Sequence, residues 1–134
     1  MPPRSATGLH RALWVAQVLL AVGFAGAGLA KATTPLPELA KALPYTADLP
    51  GALVRFIGVS ELAGAVGLIL PSLVRIWPIL TPAAAIGLNV VMWLATLFHV
   101  FRGEWSALPT TLVLGTLAAL VAWGRLKKAP IPPR

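Results

Sequence analysis

Apolar residues fill the chain in long blocks, and the charged positions fall between them. No charged side chain lies between Arg11 and Lys31, a run of 19 residues from Ala12 to Ala30; the runs from Ile76 to Phe101 and from Trp105 to Gly124 hold 26 and 20. A helix needs about 20 apolar residues to cross a hydrocarbon core of about 30 Å, so each run predicts a transmembrane helix. A fourth stretch, Leu53 to Val74, is apolar apart from Arg55, Ser60, Glu61 and Ser72. It is read as a span carrying an intramembrane acid, because an odd number of spans would put the two basic termini on opposite sides. The expected spans are about 12–31, 53–71, 76–101 and 106–124. The first, at 19 uncharged residues, exceeds the roughly 7–15 of a signal-peptide core and is expected to be a retained span.

The connections refine this into an all-α, antiparallel, integral membrane four-helix bundle. Pro71-Ser72-Leu73-Val74-Arg75 and Arg102-Gly103-Glu104 read as short turns between neighbouring antiparallel helices. The first connection is longer. Thr34-Pro35 signals a helix start, Leu36, Leu39, Ala40 and Leu43 recur at helical spacing, and Pro44 ends the pattern, which predicts a short interfacial helix in the first external loop. The pairs Ala21/Ala25, Ala63/Gly67, Ala83/Gly87 and Gly115/Ala119 have the small-xxx-small spacing that lets membrane helices approach closely. Residues 126–134 form a basic, proline-rich tail, expected to be cytoplasmic, and its last six residues, Ala129 to Arg134, are expected to be extended and disordered.

Composition sharpens the picture. Only 11% of residues are charged and 57% are hydrophobic, against roughly 25% charged in soluble domains, which excludes a soluble domain and a disordered chain alike. The chain has no cysteine, which removes disulfide frameworks, thiolate metal sites and dithiol chemistry. The net charge of +7 is spread over span ends and forms no nucleic-acid patch, so no nucleic-acid partner is expected. With four spans, one side collects Arg4, Arg11, Arg75, Arg125, Lys127, Lys128 and Arg134; the other holds Lys31, Lys41, Arg55 and Arg102 with all four acids. Seven cations against four put both termini in the cytoplasm of a cell whose inner (plasma) membrane holds the chain. Trp14, Trp77, Trp105 and Trp123 fall near span ends, where aromatic belts lie.

Ionisable groups inside the membrane are the candidates for chemistry. Lys31 ends the outward first span, Glu61 lies early in the inward second, and His99 ends the outward third, so all three share the outer half of the bilayer. Gln17-Ala21-Phe24-Gly28-Lys31, Gly58-Glu61-Ala65-Leu68 and Ala85-Asn89-Met92-Thr96-His99 each keep to one helix face, and those faces collect the polar residues. Glu61 is either ionised beside Lys31, Arg55 or protonated His99, or neutral because burial disfavours its charge. Either the cluster fixes helix register, or Glu61, His99 and Lys31 bind a ligand and handle a proton. Arg55, Asn89, Thr96 and Gln17 are supporting polar positions, with Arg55 read as an interface anchor and Asn89 as a contact between helices. His10 and His99 lie at opposite faces, and one histidine with one carboxylate makes a poor metal site, so no haem and no metal are expected. No nucleotide-binding or nucleophile motif appears, and no catalytic residue is assigned.

The same residues carry a family resemblance. Gly26-Ala27-Gly28-Leu29-Ala30-Lys31, the run from Phe56 through Gly58 and Glu61 to Pro71, His99 with Arg102-Gly103-Glu104, and Ala122-Trp123-Gly124-Arg125 together resemble the DoxX-like family of small four-span membrane proteins over about residues 10–126. The resemblance implies a four-helix membrane bundle and no single activity. Relatives include a subunit associated with a thiosulfate:quinone oxidoreductase, partners in membrane oxidoreductase complexes, and an animal chaperone for receptor assembly. Two roles follow as expectations. One is an accessory or assembly subunit for a membrane partner, without catalysis of its own. The other is a binder of a quinone-like or other small amphipathic ligand, with proton handling by the Glu61/His99/Lys31 cluster. A quinone is the one cofactor considered; a homo-oligomer and the lipid bilayer are the remaining expected partners. A small proton-coupled transporter of dual topology fits less well, because the charge bias fixes one orientation.

Overall fold

The computed structural model describes residues 4–134, with side chains from residue 7 onward. Arg4, which the charge count places with the basic termini, therefore has its side chain outside the described part. The chain is all-helical: α1 (Arg4–Thr33), the short α2 (Leu36–Ala42), α3 (Gly51–Val74), α4 (Leu80–Phe101) and α5 (Leu108–Trp123). Four stretches, Thr7–Thr33, Gly51–Val74, Leu80–Phe101 and Trp105–Lys128, are long and apolar enough to cross a membrane.

Each long helix is apolar around its whole circumference, so packing decides which face turns inward. α1 lies chiefly on α3, α3 on α4 and α4 on α5, and α5 closes the ring against α1. Leu13, Leu20, Phe24, Leu68, Leu88, Met92 and Val121 fill the interior. Leu19, Val22, Phe56, Trp93 and Leu94 point outward and are more than half exposed. A water-soluble monomer does not leave so continuous an apolar girdle uncovered; a bilayer covers it.

Two glycines set the tightest contact. A Cβ on Gly28 would lie 2.7 Å from the Gly58 carbonyl oxygen, and one on Gly58 would lie 2.6 Å from the Ala32 nitrogen, so α1 and α3 touch backbone to backbone. Gly64 and Gly67 fit instead against the Leu88 and Ala84 side chains of α4, and Gly115 against Met92. Gly87, one of the small-xxx-small residues, meets nothing within 4 Å and faces outward.

Three segments differ from the expectation. The segment 71–75 is not a turn: α3 runs through Pro71 to Val74, and Arg75, with φ 60°, ends it. Pro71 lacks an N–H, so the Gly67 carbonyl one turn earlier loses its helical donor. The Thr81 hydroxyl of α4 donates to that carbonyl at 3.1 Å, and Ser72 Oγ, 2.7 Å from Thr81 Oγ1, completes the chain of bonds. The next helix begins at Leu80, with Pro78 before it and Pro82 in its first turn, where a missing N–H costs no helical bond. Finally, the tail is extended but held: Arg75 Nε donates to the Pro132 carbonyl at 2.9 Å and the Arg134 N–H to the Arg75 carbonyl at 2.9 Å.

In the first connection, α2 buries Leu39 and gives way to a tight 3-10 turn at Pro44–Asp48, where Thr46 Oγ1 donates to the Leu43 carbonyl at 2.7 Å. That turn carries Tyr45 and Asp48 over the end of the bundle where α1 and α4 finish.

Candidate functional site at the Lys31 end

The close approach of α1 and α3 places Lys31 opposite Glu61. Lys31 Nζ donates to Glu61 Oε1 at 2.9 Å and Oε2 at 3.0 Å, and both residues are buried. Arg55 Nη1 donates to the Lys31 carbonyl at 2.9 Å, one of the last carbonyls of α1, which have no partner within the helix. Arg55 thus acts on the α1 terminus and does not touch the Glu61 carboxylate.

His99 takes a different partner from the one its depth implied. α4 ends in a Schellman turn: Gly103, at φ 70°, allows the Gly103 N–H to reach the Val100 carbonyl at 3.0 Å and the Glu104 N–H to reach the His99 carbonyl at 2.9 Å. This reversal folds Glu104 back beside His99, whose Nδ1 lies 3.3 Å from Glu104 Oε1. Among the described residues no hydrogen bond joins His99 to Glu61. Arg102 Nε donates to the same Glu104 oxygen at 2.6 Å and its Nη2 to Asp48 Oδ2 at 2.6 Å, tying the first connection to the α4–α5 turn. The Arg102 guanidinium holds the Glu104 carboxyl below its ordinary value of 4.5, with a smaller contribution in the same direction from His99. Because a carboxylate only accepts, His99 Nδ1 carries the proton and a neutral ring presents Nε2 as an acceptor.

Lys31 and His99 line one open cleft of about 650 Å³ together with Tyr45, Glu104, Trp105 and Thr111. Beside it, a narrower apolar groove of about 310 Å³ runs between α3 and α4, lined by Leu53, Phe56, Leu94 and Phe98, and sharing Tyr45 and His99 with the cleft. The Tyr45 ring stands edge-on to His99 with centroids 5.1 Å apart. Lys31, His99 and Tyr45 are among the polar groups of the cleft that keep unused hydrogen-bonding capacity among the described residues. Two of the three Lys31 N–H groups go to Glu61, leaving one; His99 Nε2 and the Tyr45 hydroxyl make no bond to another described residue. Glu61 itself does not reach the cleft wall.

The supporting positions fall elsewhere. Thr96 Oγ1 lies 2.7 Å from the Met92 carbonyl and 2.9 Å from Thr111 Oγ1, joining α4 to α5 just below the cleft. Asn89 Nδ2 donates to the Gly115 carbonyl at 2.7 Å, again between α4 and α5. Gln17 belongs to the opposite end of the bundle, where its Nε2 donates to the Leu68 carbonyl at 2.6 Å and its Oε1 accepts from Arg125 Nε at 2.7 Å. Tyr45, Glu104 and Arg125 are the residues whose roles the polar pattern did not bring out. The signal for Glu104 was present: a glycine four residues after a helix-terminal histidine, followed by an acid, spells the turn that brings the acid back.

A ring of four apolar helices with a polar cleft at one end defines a small multi-span membrane protein. The model of the DoxX-like family matches residues 15–121, most of the chain, and the protein belongs to that family. No curated protein and no solved structure matches it.

Proposed function

We propose that the protein holds a small amphipathic ligand with a quinone-like head at the Lys31 end of the bundle. The observation that carries this reading is the convergence of three groups with spare hydrogen-bonding capacity on one cleft. The free N–H of Lys31 and the Tyr45 hydroxyl donate to carbonyl oxygens of the head. In the reduced quinol form of the head, His99 Nε2 accepts from a hydroxyl, and Glu104 on the far ring nitrogen steadies the charge if that proton transfers. The cleft is within the range of about 300–1,000 Å³ that takes a drug-sized molecule. The apolar groove alongside, opening between α3 and α4 towards lipid, suits the tail. With no cysteine in the chain, a redox role for such a ligand requires electrons from elsewhere. This favours an accessory subunit that presents the ligand to a membrane oxidoreductase. The excess of Lys and Arg at the Arg125 end favours that end, and both termini, facing the cytoplasm of the plasma membrane.

Trp105 on the cleft wall gives the test. A short-chain benzoquinone added to the detergent-solubilised protein should quench tryptophan emission saturably, and Trp105→Phe should remove most of the saturable part. His99→Ala should weaken binding of the matching quinol, whose hydroxyl Nε2 accepts, about tenfold or more as read by displacement of the quinone, the worth of about 1.4 kcal/mol, with the melting temperature little changed. Absence of saturable quenching, or equal quinol affinity in His99→Ala, overturns the proposal.

A further inference from the structure

At the other end of the bundle lies a buried cation that no acidic side chain balances among the described residues. Arg125 is 3% exposed. It is carried inward where α5 widens into a π turn at Gly124–Lys128, and Gly124 allows this because a Cβ there would lie 2.6 Å from Leu13. The partners of its guanidinium are all neutral: Gln17 Oε1 at 2.7 Å, His10 Nδ1 at 2.9 Å, the Ala129 carbonyl at 2.9 Å and, on Nη2, the His10 carbonyl at 3.4 Å. Its planar fork holds five N–H groups, so one on Nη2 has no partner among the described residues. Every acid of the chain, Glu38, Asp48, Glu61 and Glu104, lies in α2, the connections or the Lys31 half of α3. Buried charges are ordinarily paired with an opposite charge.

Arg125 also lines a separate open cavity of about 370 Å³, with Ser72, Trp77, Pro82, Ile131 and Pro133. The rim is held in place. Trp77 has φ 47°, a left-handed backbone that is strained for a non-glycine residue and persists only where its surroundings fix it, and the tail forming the far wall is fastened by Arg75. Arg11, Arg75, Lys127 and Lys128 crowd the same end of the bundle.

From the unbalanced guanidinium in the wall of this cavity, we infer a phosphate-binding site at the Arg125 end, occupied by the headgroup of an anionic phospholipid. Basic pockets between transmembrane helices take such headgroups, and a guanidinium fork matches two phosphate oxygens. The indole of Trp77 lies where interfacial tryptophans meet the headgroup layer, and the apolar Pro82 and Pro133 suit the glycerol and upper acyl chain. This site is separate from the ligand cleft and does not depend on it.

The test is native mass spectrometry of the full chain released from detergent, with phosphatidylglycerol, phosphatidylcholine or inorganic phosphate added. The parent should retain phosphatidylglycerol at least tenfold better than phosphatidylcholine of the same chains. Retention of inorganic phosphate as strong as that of phosphatidylglycerol keeps the phosphate site but overturns the lipid as its occupant. Arg125→Gln also breaks the contact to Gln17, so Ile131→Asp is the sharper variant: it offers Arg125 an internal carboxylate in the same cavity without removing a side-chain hydrogen bond. Phosphatidylglycerol retention should fall at least tenfold in Ile131→Asp with the melting temperature kept or raised, and stay near the parent in Ile131→Asn. Equal retention of the two lipids by the parent, or undiminished phosphatidylglycerol retention in Ile131→Asp, overturns the inference.

Discussion

Both ends of the bundle bury a cation, and each satisfies its hydrogen bonds in its own way. At the Lys31 end, a compact ammonium meets a carboxylate face to face, and the fold brings two backbones into contact at Gly28 and Gly58 to make that meeting possible. At the Arg125 end, a broad guanidinium is surrounded by an amide, an imidazole and carbonyls, reached by widening the last turn of a helix. The difference follows from the donors. One carboxylate balances a compact ammonium and takes two of its three N–H groups, whereas a planar fork of five needs acceptors from several elements. The Lys31 end therefore depends on helix separation, and the Arg125 end on keeping α1, α5 and the tail assembled together.

The largest effect expected from this contrast is at the ion pair. Glu61→Gln leaves Lys31 buried without a counter-charge and should cost about 3–5 kcal/mol, while Glu61→Gln with Lys31→Gln should cost less than the two single changes together. Chemical denaturation of the three variants in mixed micelles measures this, and strict additivity would show that the pair carries no coupling.

Next is helix separation. Gly58→Ala drives a Cβ into the backbone at Ala32 and Gly28, which cannot yield without moving α1, so a loss of about 1–3 kcal/mol is expected. Gly64→Ala presses only on the Leu88 side chain and should be milder. The opposite ranking of their melting temperatures would remove the backbone contact as the controlling feature of this end.

At the other end, Gln17→Leu keeps the volume but takes an acceptor from Arg125 and a donor from the Leu68 carbonyl. A loss of about 1.5–3 kcal/mol is expected, the usual range for a hydrogen bond to a charged group. Lys31 and Glu61 should be untouched by it, which a double cycle of Gln17→Leu with Glu61→Gln checks through additive effects.

The smallest effect is one of pH. Arg102 depresses the folded-state value of Glu104 below 4.5, so the contact contributes fully above that value and is lost as pH falls through the depressed one. The stability difference between the parent and Glu104→Gln should therefore be constant from neutral pH down to about 5 and shrink below about 4. A difference that instead grew on acidification would reverse the sign.

Much of this was legible in the sequence. Four apolar blocks define the helices, and the shared depth of Lys31 and Glu61 on the polar faces of their helices foretells their contact. The bond between Gln17 and Arg125 was not legible in the sequence: 108 residues separate them, and a π turn at the end of α5 is what turns Arg125 inward. His99 was harder to read. Its depth points to Glu61, but a backbone reversal at Gly103 supplies a nearer acid, and local geometry prevails over depth. Pro71 reads as a helix end because proline removes a bond, and only the neighbouring helix could show that Thr81 replaces the lost donor. The tail has the composition of a disordered segment, and its order comes from one arginine, Arg75, far away in sequence.

The bond from Thr81 to the Gly67 carbonyl also bears on how the chain enters the bilayer. Alone in hydrocarbon, α3 would present a bare carbonyl below Pro71, with no water to satisfy it. The group that relieves this exposure arrives only with the first turn of α4, 14 residues later. The smallest unit that leaves this carbonyl satisfied in hydrocarbon is thus α3 together with the start of α4, and not α3 by itself.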